Sequence, residues 1–220
     1  MSFEDTVNEA RERFSEAFQI INFLDANEGA AAAAATNTQK ALRGLCLVSI
    51  YAAVERSVNS TVEQALAEIS SHSTPSASCT PSVLSLFHFG SVQAIRDCGM
   101  EKTIPKAILL LSNAFSQNPI SAANNPPAIL LQNVDGSSII AVAGFFGLSN
   151  YTIPGNNIAR LNNLRERRNA VSHGRESASD AGEPFTINEL RNVYNCADQE
   201  VTRFIEAMKN YCMAKEYVAA

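Results

Sequence analysis

The chain opens with a pattern of apolar positions that predicts an amphipathic helix. Apolar side chains recur at spacings of three and four residues from Ala10 to Leu24, which places them on one helix face. The segment Ser2-x-x-Asp5 precedes them and resembles a capping box, with Asp in place of Glu. Gly29 is the predicted end of this helix. The alanines at 30–35 fit a helical extension and a loop expansion equally well, and we assign them no function.

The same patterns predict three more long helices. They run over 38–70, over 156–173 with Gly174 after the end, and from Thr186 to about 217. A Ser- and Pro-rich connection at 71–81 follows the first of these, and a loop at 175–184 precedes the last.

Residues 82–150 read as several short helices, interrupted by Gly and Pro residues that include Pro105. No segment alternates with period two. The prediction is therefore an all-α, single domain over 1–220: a four-helix bundle with a helical insertion at 82–150 between its second and third long helices.

Two charged residues occupy positions on apolar helix stripes. Glu55 lies on the stripe of the helix over 38–70, and Arg168 lies on the stripe of the helix over 156–173. Burial of an unpaired ion is costly, so we expect the two to pair with each other or to line a polar cleft. An ion pair of this kind is equally consistent with a structural role that involves no chemistry.

Composition narrows the classes of function. The chain has 220 residues and a formal charge of −5, which excludes a body that binds nucleic acid through overall positive charge. A local patch remains open, because 160–175 contains five Arg and one Glu, a local charge of about +4. This run ends beside His173, one of three histidines.

Other features of the sequence argue against a bound cofactor or metal and against a membrane-spanning helix. Five cysteines with no C-x-x-C pair argue against a disulfide framework and a zinc site, and no phosphate-binding glycine-rich loop is present. The apolar runs are about ten residues long, whereas a bilayer span needs about twenty. We expect no cofactor, no metal and no membrane association, and a cytoplasmic location.

The candidate site depends on how the helix over 156–173 ends. Arg168 and His173 are five residues apart, about 500° of helical rotation, so they do not share a face of a regular helix. We expect the chain to turn at Gly174 and bring the imidazole near the guanidinium.

The string from Arg168 to Gly174, Arg-Asn-Ala-Val-Ser-His-Gly, resembles the motif of the HEPN superfamily. Members are all-α domains marked by an Arg, a polar residue and a His four to six positions later. The segment Tyr51 to Glu55 is similar to the aromatic-x-x-x-Glu element of bacterial members. Thr186 to Leu190 is similar to the start of their final helix.

The resemblance covers about 40–70 and 155–205. It is strongest to the MAE-type bacterial HEPN group, with the RiboL-PSP-associated HEPN group second. The insertion at 82–150 matches no motif of the family and departs from its compact members.

The resemblance implies a metal-independent endoribonuclease, often a toxin or an anti-phage effector. Such proteins act on RNA as homodimers whose paired motifs line one cleft, and some have an antitoxin partner. His173 would be the general base or acid, and Arg168 would stabilise charge on the phosphate. Asn169 would orient the substrate or His173, and Glu55 would position Arg168.

Arg165 and Arg175 are the candidates for contacts with the RNA backbone. The alternative function is a non-catalytic HEPN module that binds a nucleotide or a protein. In that case the Arg168 region is a pocket or an interface, and His173 is an ordinary residue at a helix end.

Overall fold

The computed structural model describes residues 2–28, 35–121 and 126–219. Within those ranges the chain forms helices and no strand, which confirms the all-α prediction. Four long helices pack as a bundle: α1 (Phe3–Glu28), α2 (Asn37–Ser71), α7 (Gly155–Ser172) and α9 (Ile187–Met213). The shorter helices are α3 (Pro81–Phe87), α4 (Phe89–Arg96), α5 (Met100–Ala114), α6 (Gly136–Phe145) and α8 (Ala178–Gly182), with 3₁₀ turns at Ser76–Ser78 and Pro126–Asn133. No helix in the described part of the chain is long and apolar enough to cross a bilayer.

The helix starts follow the local capping chemistry. The Asp5 carboxylate accepts hydrogen bonds from the backbone and hydroxyl of Ser2, and these bonds lower the pKa of Asp5. Thr186 and Glu189 form the capping box expected for the last helix. The predicted stop at Gly29 and the alanines at 30–34 lie outside the described residues.

The bundle core is built from the periodic apolar positions. The stripe of α1 from Ala10 to Leu24 is buried against α2 and α9. The second helix also contacts α7 and α8, so it is covered on several sides and carries the largest share of buried residues. This central position of α2 brings Glu55 next to α7.

The predicted loop at 175–184 is wrong in part, because it contains α8. Ser177 and Asp180 cap this helix, but five residues are too few to show an apolar period in the sequence. The short helix lies directly on α2, since a Cβ at Gly44 would collide with the Ala178 carbonyl and one at Gly182 with the Lys40 carbonyl. Two glycines therefore allow backbone-to-backbone contact between α2 and α8.

The segment at 82–150 forms short helices as expected. Its buried side chains, which include Val83, Ile139 and Phe146, belong to the same apolar cluster as the bundle core. Pro105 does not end α5, although the sequence suggested an interruption there. It is the sixth residue of the helix and has no backbone N–H, so it removes one backbone hydrogen bond from the second turn.

The last helix ends earlier than the predicted 217. It ends at Met213, and Lys215 adopts a positive φ of 52° that turns the chain back. Tyr217 is then fully buried, and Val218 bridges to Cys79. Tertiary contacts at the end of α2 therefore decide where the last helix stops.

Candidate functional site

The centre of the candidate site is an ion pair between α2 and α7. The Nη2 atom of Arg168 lies 2.8 Å from both carboxylate oxygens of Glu55. The guanidinium carbon lies 4.0 Å from the centre of the Tyr51 ring, and the Tyr51 hydroxyl donates to Glu55 at 3.3 Å. Tyr51 and Glu55 are four residues apart on α2, so both reach the same point of α7. The pairing expected from the two apolar stripes is present.

The pair lies at the edge of the core, not in its interior. The side chain of Arg168 is 18% exposed and that of Glu55 is 28% exposed. Burial, followed by the nearby Glu55 charge, raises the pKa of Tyr51, so its hydroxyl stays protonated and remains a donor to Glu55. Charge pairing, the aromatic face and this hydrogen bond together hold the guanidinium in one orientation.

Arg168 also contacts its neighbour in the motif. Its Nη1 donates to the Asn169 side-chain oxygen at 3.0 Å. A guanidinium has five N–H groups, and three of them donate to Glu55 and Asn169. Two N–H groups have no acceptor among the described residues, so they are available to an anionic ligand.

The seventh helix ends in a Schellman motif. The Gly174 amide donates to the Val171 carbonyl at 3.1 Å, and the Arg175 amide donates to the Ala170 carbonyl at 2.8 Å. Gly174 has a φ of +66°, a conformation that glycine adopts without strain. The predicted role of Gly174 as the terminating glycine is confirmed.

The Schellman motif does not bring His173 to Arg168. The helix stays regular through Ser172, so His173 is rotated by about 140° from Arg168. His173 is exposed, and its side chain makes no hydrogen bond to any described residue. Within one chain the guanidinium and the imidazole therefore remain apart, because the motif directs the chain onward to α8 and leaves the imidazole in solvent.

Carboxylates neutralise most of the basic run. Arg165 pairs with Asp135, the N-cap residue of α6, and with Glu166 at 2.8 Å. Arg167 pairs with Glu176 at 3.2 Å. Glu166 was already counted within 160–175, but Asp135, Glu176 and the Glu55 partner of Arg168 lie outside that segment, so the local charge of about +4 counted from the sequence is largely cancelled.

The two candidates for RNA-backbone contacts consequently differ. Arg165 links α7 to α6 through Asp135, where it also approaches the capped helix start. Arg175 is exposed, and its side chain has no partner among the described residues. Arg175 is the freer of the two to bind a phosphate.

A cleft lies on the other side of α7. Its volume is about 390 Å³, and it is bounded by α7, the loop before α9 and the first two turns of α9. Arg160, Asn163 and Arg167 line it from α7, and Glu189 and Asn192 line it from α9. Neither Arg168 nor His173 faces this cleft, so it is separate from the motif.

The remaining histidines hold structural positions that the sequence did not indicate. His72 Nδ1 lies 2.8 Å from the hydroxyl of buried Tyr217, and its Nε2 lies 3.8 Å from Glu68. His88 Nε2 lies 3.4 Å from the Ser76 hydroxyl. Tyr217 is 145 residues from His72 and Ser76 is 12 residues from His88, so no spacing in the sequence indicates these two contacts. Across the described ranges, no cluster of His, Cys, Asp and Glu is arranged to hold a metal ion.

Comparison with known families matches the chain to a HEPN-type family. The model of the RiboL-PSP-HEPN family matches residues 8–213, which include all four long helices except the first five residues of α1. The match confirms the resemblance to the HEPN superfamily, and the family matched is the second of the two groups named from the sequence. No curated protein and no solved structure matches the chain.

Proposed function

Because the chain belongs to the RiboL-PSP-HEPN family, we propose that it is a metal-independent endoribonuclease. The observation that carries the proposal is the state of Arg168. Glu55 and Tyr51 hold its guanidinium in place while two of its N–H groups remain unused. An oriented, permanently charged fork of this kind suits the recognition of a phosphate.

The chemistry requires a base, an acid and charge stabilisation. His173 takes the proton of an RNA 2′-hydroxyl, whose oxygen then forms a bond to the adjacent phosphorus. The bond from phosphorus to the 5′-oxygen breaks, and that oxygen takes its proton from the protonated His173 or from water. The products are a 2′,3′-cyclic phosphate and a 5′-hydroxyl. Arg168 stabilises the charge that develops on the phosphate oxygens, and Asn169 helps to orient the substrate.

One chain does not supply both groups to one phosphate. Arg168 and His173 are about 140° apart around α7, and five residues separate them by about 7.5 Å along its axis. We therefore place the reaction in a cleft between two copies, with Arg168 from one copy and His173 from the other. A two-fold arrangement of α7 helices creates two such sites.

Mixing two inactive variants tests this arrangement. Arg168→Ala and His173→Ala are each expected to abolish cleavage of single-stranded RNA in EDTA. If equal amounts are mixed under exchange conditions, half of the dimers contain one chain of each kind, and each has one intact composite site. We expect recovery of about a quarter of the wild-type activity, which follows from random pairing at a two-fold interface.

Control experiments show whether a loss of cleavage is specific to the proposed site. Arg56→Ala removes an exposed arginine of α2 and is expected to leave cleavage unchanged. Two variants that are inactive alone and stay inactive when mixed would contradict the composite site. Full cleavage by either single variant would remove that residue from the mechanism. Circular dichroism confirms that each variant is folded.

The proposal extends to biological role and partners. We assign the protein to the toxins or anti-phage effectors, with RNA as substrate and an antitoxin as a partner. Expression should slow bacterial growth, and His173→Ala should relieve the effect.

Arg175→Ala should weaken RNA binding and reduce its dependence on salt, since it removes one phosphate contact.

A second function is favoured by the neutralised charges. Arg165, Arg167 and Arg168 are each paired with carboxylates, which fits a non-catalytic HEPN module that binds a nucleotide or a protein. That function predicts no RNA cleavage at any protein concentration. It also predicts that Arg168→Ala affects stability or assembly alone.

A further inference from the structure

The fifth helix carries an uncovered apolar stripe. Five large side chains, four on α5 and one at its C-cap, recur at spacings of four, four, three and four residues, within an arc of about 80° around the helix axis. We call them the α5 stripe: Met100, Ile104, Ile108, Leu111 and Phe115. They are 88%, 66%, 60%, 54% and 71% exposed.

The size of the α5 stripe exceeds what a monomer ordinarily leaves in water. With about 200 Å² for a large apolar side chain, these exposures amount to about 700 Å². The largest apolar patch of a typical monomer is about 300–600 Å². Two such stripes placed together would bury about 1,400 Å², within the range of stable protein–protein interfaces.

The α5 stripe is also complementary to itself. In an antiparallel pair of α5 helices, Met100 of one copy meets Phe115 of the other, and Ile104 meets Leu111. Ile108 then lies at the two-fold axis. In a symmetric interface each copy contributes the same surface, so the contacts of Met100 with Phe115 and of Ile104 with Leu111 each occur twice.

The charges of α5 fit the same arrangement. Glu101, Lys102 and Lys106 all lie in the first half of the helix, and no charged residue follows in its second half. In an antiparallel pair each charged half lies against an uncharged half, so like charges do not meet. The Lys106 ammonium also donates to the Ala94 carbonyl at 2.8 Å, which ties it to its own chain.

From the area, the symmetry and the charges we infer that the α5 stripe is a docking surface for a second copy of this chain. A lipid surface fits less well. Helices that lie on bilayers have a strongly basic polar face, whereas α5 has two lysines and one glutamate in a chain of charge −5.

This interface is distinct from the composite ribonuclease site. The backbone after α5 pairs with Ser76 and Ala77, just beyond the end of α2. Glu55 lies sixteen residues before Ser71, about 24 Å along the α2 axis. The inference goes beyond the proposed function and does not depend on catalysis.

The test compares two neighbouring residues of α5. Ile108→Glu places a charge at the two-fold axis, whereas Leu109→Glu places one at a residue that is 61% exposed but lies about 100° from the stripe. Light scattering after size-exclusion chromatography should give an even number of chains for the wild type. The mass should fall by half for Ile108→Glu and stay unchanged for Leu109→Glu.

A cross-linking experiment supports the mass measurement without a destabilising charge. Under mild oxidation, Ile108→Cys should form a covalent dimer, and Leu109→Cys should give no more dimer than the wild type, whose own cysteines set the background. A monomeric wild type, or a mass unaffected by Ile108→Glu, would overturn the inference. So would binding to phosphatidylcholine–phosphatidylserine vesicles that Ile108→Glu abolishes. Absence of RNA cleavage in all variants would count against the proposed function only.

Discussion

The ion pair between Glu55 and Arg168 permits a quantitative prediction. At about 4 Å between charge centres and an effective dielectric constant of about 20, the attraction is about 4 kcal/mol. Partial removal of both groups from water offsets part of this attraction. Both side chains keep some exposure, 18% for Arg168 and 28% for Glu55, so we expect a coupling energy of about 2 kcal/mol.

A double-mutant cycle measures this coupling. The variants are Glu55→Gln, Arg168→Met and the double variant, each unfolded in urea and followed by far-ultraviolet circular dichroism. Glu55→Gln keeps the shape of the side chain and one acceptor oxygen. The decrease in the free energy of unfolding therefore reports mainly the loss of the negative charge. Glu63, which is exposed on the same helix, provides the matched control Glu63→Gln, for which we expect no change.

Measurements of cleavage by the Glu55 variants show whether Glu55 positions Arg168 for catalysis or only stabilises the fold. If Glu55 positions Arg168, Glu55→Gln should slow RNA cleavage under conditions in which the variant is fully folded, with little change in KM. Glu55→Asp should recover part of the rate, because it restores the charge. A coupling energy below about 0.5 kcal/mol, typical of exposed pairs, would refute the reasoning that the pair orients the guanidinium.

Three further predictions concern the scaffold. Gly44→Ala should destabilise the fold by about 3 kcal/mol, since its Cβ would collide with the Ala178 carbonyl, whereas Gly90→Ala meets no neighbour and should cost little; urea unfolding compares them. Gly174→Ala should cost about 1 kcal/mol in the same assay because of its positive φ, and an unchanged midpoint would argue against the Schellman end. Burial lowers the pKa of His88, so the unfolded chain binds a proton first on acidification. The stability that His88 contributes is present above about pH 6.5 and lost as the pH falls toward its folded pKa. The urea midpoint should drop between pH 7.5 and 5.5, by less in His88→Gln, and an equal drop in both proteins would exclude this source.

The four long helices and most of their described ends were predictable because their causes are local. The spacing of apolar residues identified the four long helices, and Gly174 and Thr186 marked their limits within one or two residues. A five-residue helix and the buried turn at Tyr217 gave no such signal, since both depend on contacts with α2 or with the segment that follows it.

The candidate site was predictable in part. The pairing of Glu55 with Arg168 follows from the cost of burying single charges, which is visible in the sequence once the stripes are drawn. The direction of the His173 side chain could not be predicted, because a helix end can direct a side chain either way. The partner of Arg165 could not be predicted either, because Asp135 is thirty residues away in the sequence.

The amino-acid sequence by itself determined the helical class, the capped helix limits and the motif residues, since each depends on neighbours within a few turns of the chain. Only the tertiary structure decided which charges cancel, on which side of α7 the imidazole lies and that the stripe of α5 is left uncovered. The periodicity of an apolar face is the same whether another element covers it or not. A charged residue is likewise visible in the sequence, but whether an opposite charge lies beside it depends on how distant segments pack.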